Sequence, residues 1–197
     1  MIGNDIVDLE RARVESNWQR SGFLGKLFTA DEQRLIQSST DPGLMVWTLW
    51  SMKESAYKLI VRRTGRPFFA PQKLVCYVTE LDQHTLAGSV FYQQEYTVTT
   101  VITPHYVASV ALATPKKTPF VHQIVTFDDV DYQHQHEGIR QVLKQFLSCK
   151  IVTPVSDIVI RKNDIGVPSI SLGDGQCIPI SLSHHGHYGA FAMPVSW

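Results

Sequence analysis

With 197 residues, 44% of them apolar and 18% charged, the chain has the balance of an ordinary soluble globular protein, long enough for one substantial core or two small packed halves. Eighteen Lys and Arg cancel eighteen Asp and Glu, which excludes the strongly basic field of a nucleic-acid binder. Cys76, Cys149 and Cys177 show no CxxC spacing, and no apolar run reaches the ~18 residues of a membrane span, so a reducing, cytoplasmic setting away from membranes is expected.

Residues 2–9 alternate as a strand, and the polar Asn4, Asp5 and Asp8 within them are unlike the apolar stretch of a secretion signal. Thr29 and Glu32 then have the spacing of a capping box at the head of a short helix. Pro42 and Gly43 open the strongest helix, whose apolar residues recur at helical spacing over 44–63 until Gly65 and Pro67 end it. Over 74–113, runs rich in Val, Thr and Tyr, interrupted by His84, Gly88 and Pro104, predict three or four antiparallel strands. The two prolines and two lysines of 114–119 predict a linker. It divides the chain into 1–114 and 115–197, and the second part is expected to hold a strand near Val121, a helix over about 135–148, and strands near 157–162 and 179–192. Both parts mix α and β content, so the fold class is α+β.

Three polar residues fall in apolar places. Alternation puts Asp5 with Gly3, Val7 and Leu9 on one face of the first strand, while Asn4 and Asp8 share the other. A carboxylate on an apolar face needs a cation, a hydrogen-bond network or a metal beside it. On the long helix, the 3.6-residue period places Glu54 between Trp47, Trp50, Tyr57 and Val61, with Thr48, Ser51, Ser55 and Arg62 on the polar side, so Glu54 is expected to point inward and Lys58 to border the same stripe. Near the end of the chain, His184 continues the alternating face of Ile178, Ile180 and Leu182.

Each of these residues alone is more often structural than functional. Two carboxylates on rigid elements nevertheless suit a hard divalent ion that keeps several waters and completes its shell with phosphate oxygens, which favours Mg²⁺ over zinc. Lys58 and His184 would then offset the charge of a diphosphate. A rival zinc site built from His134, His136, His184, His185 and His187 is weaker, because His184 faces away from His185 and His187 and no cysteine or carboxylate completes the set. Lys26, Arg62, Arg63, Arg66 and Lys73 crowd the first half and suit either a compact anionic partner or plain solvation.

These segments resemble the signatures of the phosphopantetheinyl transferase superfamily. Trp50, Lys53, Glu54 and Lys58 reproduce a W-x-x-K-E-x-x-x-K motif; Gly3, Asp5 and Ile6 resemble its G-x-D-I element; Phe28, Thr29 and Glu32 resemble F-[ST]-x-x-E; and Ser181, Ser183 and His184 resemble its S-x-S-H strand. In the surfactin-type branch the S-x-S-H strand comes first, whereas here it comes last, so the chain looks like a circular permutation of that monomeric form. The short holo-carrier-synthase branch has the present order but is about half as long and builds its site between subunits.

The resemblance implies two mixed halves related by a pseudo-twofold, each an antiparallel sheet with a packed helix, and an active site between them in a monomer. It implies Mg²⁺ held by Asp5 and Glu54, coenzyme A phosphates contacted by Lys58, Ser183 and His184, and Arg140 near the nucleotide. The implied activity is transfer of 4'-phosphopantetheine from coenzyme A to a serine of an acyl or peptidyl carrier protein in fatty-acid or secondary-metabolite synthesis. Asp5, Glu54 and Lys58 would be the catalytic set, Glu54 the base, directly or through a water. Arg62 and Arg63, with Arg66, would meet an acidic carrier. Val7 stands where a second acidic ligand is usual and Val167 where a G-K-P lysine is usual. The alternative is a catalytically silent relative that binds coenzyme A or a carrier without transfer.

Overall fold

The computed structural model describes residues 1–113, 119–173 and 175–195; most of the expected linker, residues 114–118, lies outside the described residues. The fold is α+β, as its sequence pattern implies, and its sheets are antiparallel. Strand β1 (Ile2–Asp8) leads into two short helices, α1 (Leu9–Glu15) and α2 (Phe23–Leu27), which periodicity did not announce. Helix α3 (Ala30–Ser38) begins with the expected capping box, the Thr29 hydroxyl accepting from the Glu32 amide and the Glu32 carboxylate accepting from the Thr29 amide. Helix α4 (Pro42–Thr64) is capped by Asp41 and ends at Gly65, whose φ of 67° is left-handed.

Four strands follow, β2 (Val75–Leu81), β3 (Thr85–Tyr92), β4 (Gln94–Ile102) and β5 (Tyr106–Ala113), and β1 joins them in the order β1-β5-β4-β3-β2, with Asp5 paired to Ser109. In the rest of the chain, β6 (Phe120–Thr126) and the helix α5 (Tyr132–Ile151) precede β7 (Val159–Lys162), β8 (Pro168–Ser171), β9 (Cys177–Pro179), β10 (Ser181–His185) and β11 (Tyr188–Pro194). These form two three-stranded sheets, β10-β11-β6 and β7-β8-β9. The strand content expected over 179–192 is the hairpin of β10 and β11, turned at Gly186, where φ is 57° and a Cβ would strike the Asp8 carboxylate and the Arg11 side chain.

One large core joins α4 to the five-stranded sheet, and a second joins α5 to the sheets of β6–β11. Strand β1 lies between them and is buried along its whole length. Its odd residues meet α4, which approaches so closely that a Cβ at Gly3 would run into the Ser55 carbonyl and the Leu59 amide. The even face is not open to water, as the presence of Asn4 and Asp8 suggests from sequence. Ile2 packs with Val110 and Ala192, Ile6 with Ala108 and Ala190, and between them Asn4 donates to Ser183 Oγ and to the Ala190 carbonyl, both at 3.0 Å. The Asn4 amide donates to Ser181 Oγ at 2.9 Å. Polar side chains are tolerated there because they are hydrogen-bonded to one another.

Candidate active site

Which face of α4 is buried differs from the periodic reading, and the difference builds the site. Thr48, Ser51 and Ser55, expected on the polar side, are the most buried, while Trp50, Glu54, Tyr57 and Lys58 border open space. Small side chains let α4 sit against β1, and their hydroxyls cost little because Thr48 donates back to the Leu44 carbonyl and Ser55 to the Met52 carbonyl. Glu54 therefore points into a cleft rather than into the core.

That cleft, of about 250 Å³, is lined by Asp5, Val7, Trp47, Trp50, Glu54 and His184, among others. Trp50 and Glu54 also line a larger apolar recess of about 500 Å³ walled by Phe68 and Phe69, and Lys58 borders a third, of about 260 Å³, that contains Val167. Three recesses thus converge on one stripe of α4.

Lys58 Nζ donates to Asp5 Oδ1 and to the Asn4 carbonyl, both at 2.9 Å, which leaves one of its three hydrogens free. Burial pushes the Asp5 carboxyl above its ordinary value, opposed by Lys58. The buried Ser51 hydroxyl has no partner at hydrogen-bond distance but lies near enough to Asp5 to favour its charged form. Glu54 is pushed up to about 7, first by burial and then by the Asp5 charge, against the pull of Lys58. Two carboxylates, both raised by burial and Glu54 also by the Asp5 charge, with Lys58 bonded to Asp5, form an oxygen donor set that a hard divalent cation with several waters fits. Val7, not a third carboxylate, stands beside them. Among the described residues, no three His, Cys, Asp or Glu side chains gather as a ready metal cluster.

Facing them, the His184 ring bonds Gln135 through Nδ1 at 2.7 Å and meets the edge of Tyr132 at a centroid distance of 5.1 Å. Its pKa is driven down to about 4, foremost by burial and then by His136, Lys58, Arg140 and Lys162. Arg140 donates to the His136 carbonyl at 3.0 Å and, partly buried, adds its charge to those of Lys58 and Lys162. Ser183 is buried and accepts from Asn4. The other histidines of the zinc alternative are engaged separately: His185 by the Asp8 amide and Glu15, His134 by Asp129, His187 by the Phe127 carbonyl, and His136 stacked on the Tyr132 ring.

Arg62 and Arg63 are not the free surface charges expected of a carrier contact. The Arg62 guanidinium donates to the Pro168 and Ile180 carbonyls, and Arg63 lies over the Tyr96 ring; Arg66 remains exposed. Sequence reasoning missed Gln135 and Lys162 and named His136 only as part of the rival zinc site. Tyr132, His136 and Arg140 recur at intervals of four along α5, a one-face pattern that marks the two cations, whereas nothing marks Lys162.

Residues 1–114, more than half of the 197, match the 4'-phosphopantetheinyl transferase superfamily. The chain belongs to that superfamily. No curated protein is a significant match.

Proposed function

We propose that the protein transfers the 4'-phosphopantetheine arm of coenzyme A to a serine of an apo acyl or peptidyl carrier protein, at a site between the halves 1–114 and 115–197. The observation that carries this reading is that Asp5 and Glu54 share one cleft with His184, with Lys58 bonded to Asp5, in a chain of this superfamily. Serine Oγ bonds to the β-phosphorus while the bond from that phosphorus to the bridging oxygen breaks, and 3',5'-ADP leaves with the electron pair. Glu54 takes the serine proton, directly or through a water; burial and the Asp5 charge make its carboxylate more basic than an ordinary one.

Lys58, anchored by Asp5 and the Asn4 carbonyl, offers its remaining hydrogen to the oxygens on which charge develops. Arg140 and His184 hold the phosphates from the opposite wall. Asp5 and Glu54 are the residues that would hold Mg²⁺, which supplies Lewis-acid neutralisation of the diphosphate when bound. Incubation with coenzyme A, Mg²⁺ and a panel of apo carriers should add the mass of one phosphopantetheine to a carrier, and chelation should stop it. Coenzyme A binding without any gain of mass would instead indicate a silent relative.

A further inference from the structure

The hydrogen-bond chain behind His184 settles more than the ring's position. Gln135 is 5% exposed, and its Nε2 donates to the Gly186 carbonyl at 2.8 Å. That bond fixes which end of the amide is oxygen, so Oε1 is the atom 2.7 Å from His184 Nδ1. An amide oxygen only accepts, and Nδ1 therefore carries the hydrogen. In the neutral ring Nε2 is then a bare lone pair, and among the described residues only Nδ1 of this ring has a hydrogen-bond partner. A lone pair has nothing to donate to a phosphate oxygen.

We propose that Gln135 is a positioning residue that locks His184 in its Nδ1–H form, so that a coenzyme A phosphate is received at Nε2 only together with a proton. This rests on the coenzyme A reading above and adds the way the site takes charge.

The groups around the ring keep it neutral in the empty cleft. His136 and Arg140 on α5, Lys162 on β7 and Lys58 on α4 are the charges that oppose its protonation, behind burial. Tyr132 presents its edge; Asp5, Glu54 and His185 line the same cleft, the His185 ring being held by the Asp8 amide and the Glu15 carboxylate. The empty site thus avoids one more positive charge in a crowded cluster. An arriving phosphate reverses the local field, and an opposite charge at contact raises such a pKa by about 1–3 units. Anion affinity should therefore rise as pH falls from the liganded value towards the free value of about 4, and level off below it.

The test is long-range proton–nitrogen NMR of the full chain with ¹⁵N-labelled histidine, followed from neutral pH down through the titration. It is run free, with coenzyme A, and with inorganic sulfate, a dianion that does not titrate in this range. In the free protein His184 should show a protonated Nδ1 and a bare Nε2, and saturating coenzyme A should move its titration up by about 2 units. Gln135→Leu should release the lock and populate the Nε2–H form. Gln135→Glu should preserve Nδ1–H and raise the free titration, so that less of the shift remains for the ligand to supply; a merely packing role would not produce these opposite outcomes. A bare Nδ1 in the free wild-type protein would overturn the proposal. Coenzyme A bound with the His184 titration unmoved would overturn it while leaving the transferase reading intact, and failure of coenzyme A to bind at all would remove both, even with the tautomer as expected.

Discussion

Lys53 and Lys58 lie little more than one turn apart on α4, within one motif, yet they serve opposite ends. Lys53 is fully buried under the loop that follows α4, where its ammonium donates to Glu32 at 2.8 Å and to the Pro71 and Leu74 carbonyls at 2.9 and 2.6 Å, with the Phe28 ring 5.4 Å away. Glu32 completes the network by accepting from the Thr29 and Cys76 amides. Every hydrogen of Lys53 is used. Lys58 is partly exposed, with one hydrogen unused, bonded to Asp5 and close enough to Glu54 to oppose the rise in its proton affinity. A saturated charge holds the fold together, whereas an unsaturated one is available to a ligand. The W-x-x-K-E-x-x-x-K pattern therefore contains one lysine of each kind.

The largest effect expected from this contrast is on stability. Lys53→Met leaves the Glu32 carboxylate buried without its cation, and losses of about 3–5 kcal/mol are typical when one partner of a buried pair is removed. Urea unfolding should show that loss; a change below about 1 kcal/mol would mean that the network is not the anchor described. Lys58→Met should do the reverse. Its ammonium is partly solvated and Asp5, already raised by burial, can take up a proton in its absence, so stability should fall by less than in Lys53→Met, while the rate of carrier modification should fall by about 100-fold or more. Equal losses of stability and rate in both variants would erase the distinction.

Much of this was legible in the sequence, and what was hidden has a physical cause. The capping box, the limits of α4 and the four strands over 75–113 follow from local rules, because turn chemistry and periodicity act on neighbouring residues. The orientation of α4 did not follow. Periodicity ranks residues by polarity, but Thr48, Ser51 and Ser55 are buried as small side chains on a helix that approaches Gly3 closely, and the Thr48 and Ser55 hydroxyls, which bond back to their own helix, behave as nearly apolar groups. The inward turn of Arg62 was equally invisible, since its acceptors, the Pro168 and Ile180 carbonyls, lie more than a hundred residues away. Asp5, Glu54, Lys58 and His184 stood out because each breaks an apolar pattern. Gln135 breaks none, and only its bonds to Gly186 and His184 reveal it.

The same distinction can be sharpened through pH. His184 has an ordinary value of 6.5 and is held down to about 4 in the fold, so between those values the unfolded chain binds the proton first. Its contribution to stability is complete above pH 6.5 and is lost as pH falls through about 4. Because the ring is only partly buried, the loss is discounted to about 1 kcal/mol. Melting curves of wild type and His184→Gln should coincide at pH 8 and diverge at acid pH, the variant losing less. Part of the acid limb should survive in the variant, because His122 on β6 is also held down to about 4 by burial. Parallel curves at all pH values would show that His184 is not held neutral by the fold.

The smallest effect concerns the three arginines at the end of α4, where the saturated and unsaturated kinds meet again. Arg62 is engaged by two carbonyls and Arg63 by the Tyr96 ring, which leaves Arg66, exposed just beyond the Gly65 cap, as the member free to meet an acidic carrier surface. A solvated charge at a rim speeds encounter more than it strengthens the complex. Arg66→Glu should accordingly raise the apparent KM for an apo carrier by about 2–3-fold at low salt, with kcat and the KM for coenzyme A unchanged. The difference should vanish near 1 M salt, where the Debye length is about 3 Å. An increase in KM for coenzyme A would move Arg66 to the nucleotide, and a salt-independent change would mean that the loop beyond α4, rather than the charge, had been altered.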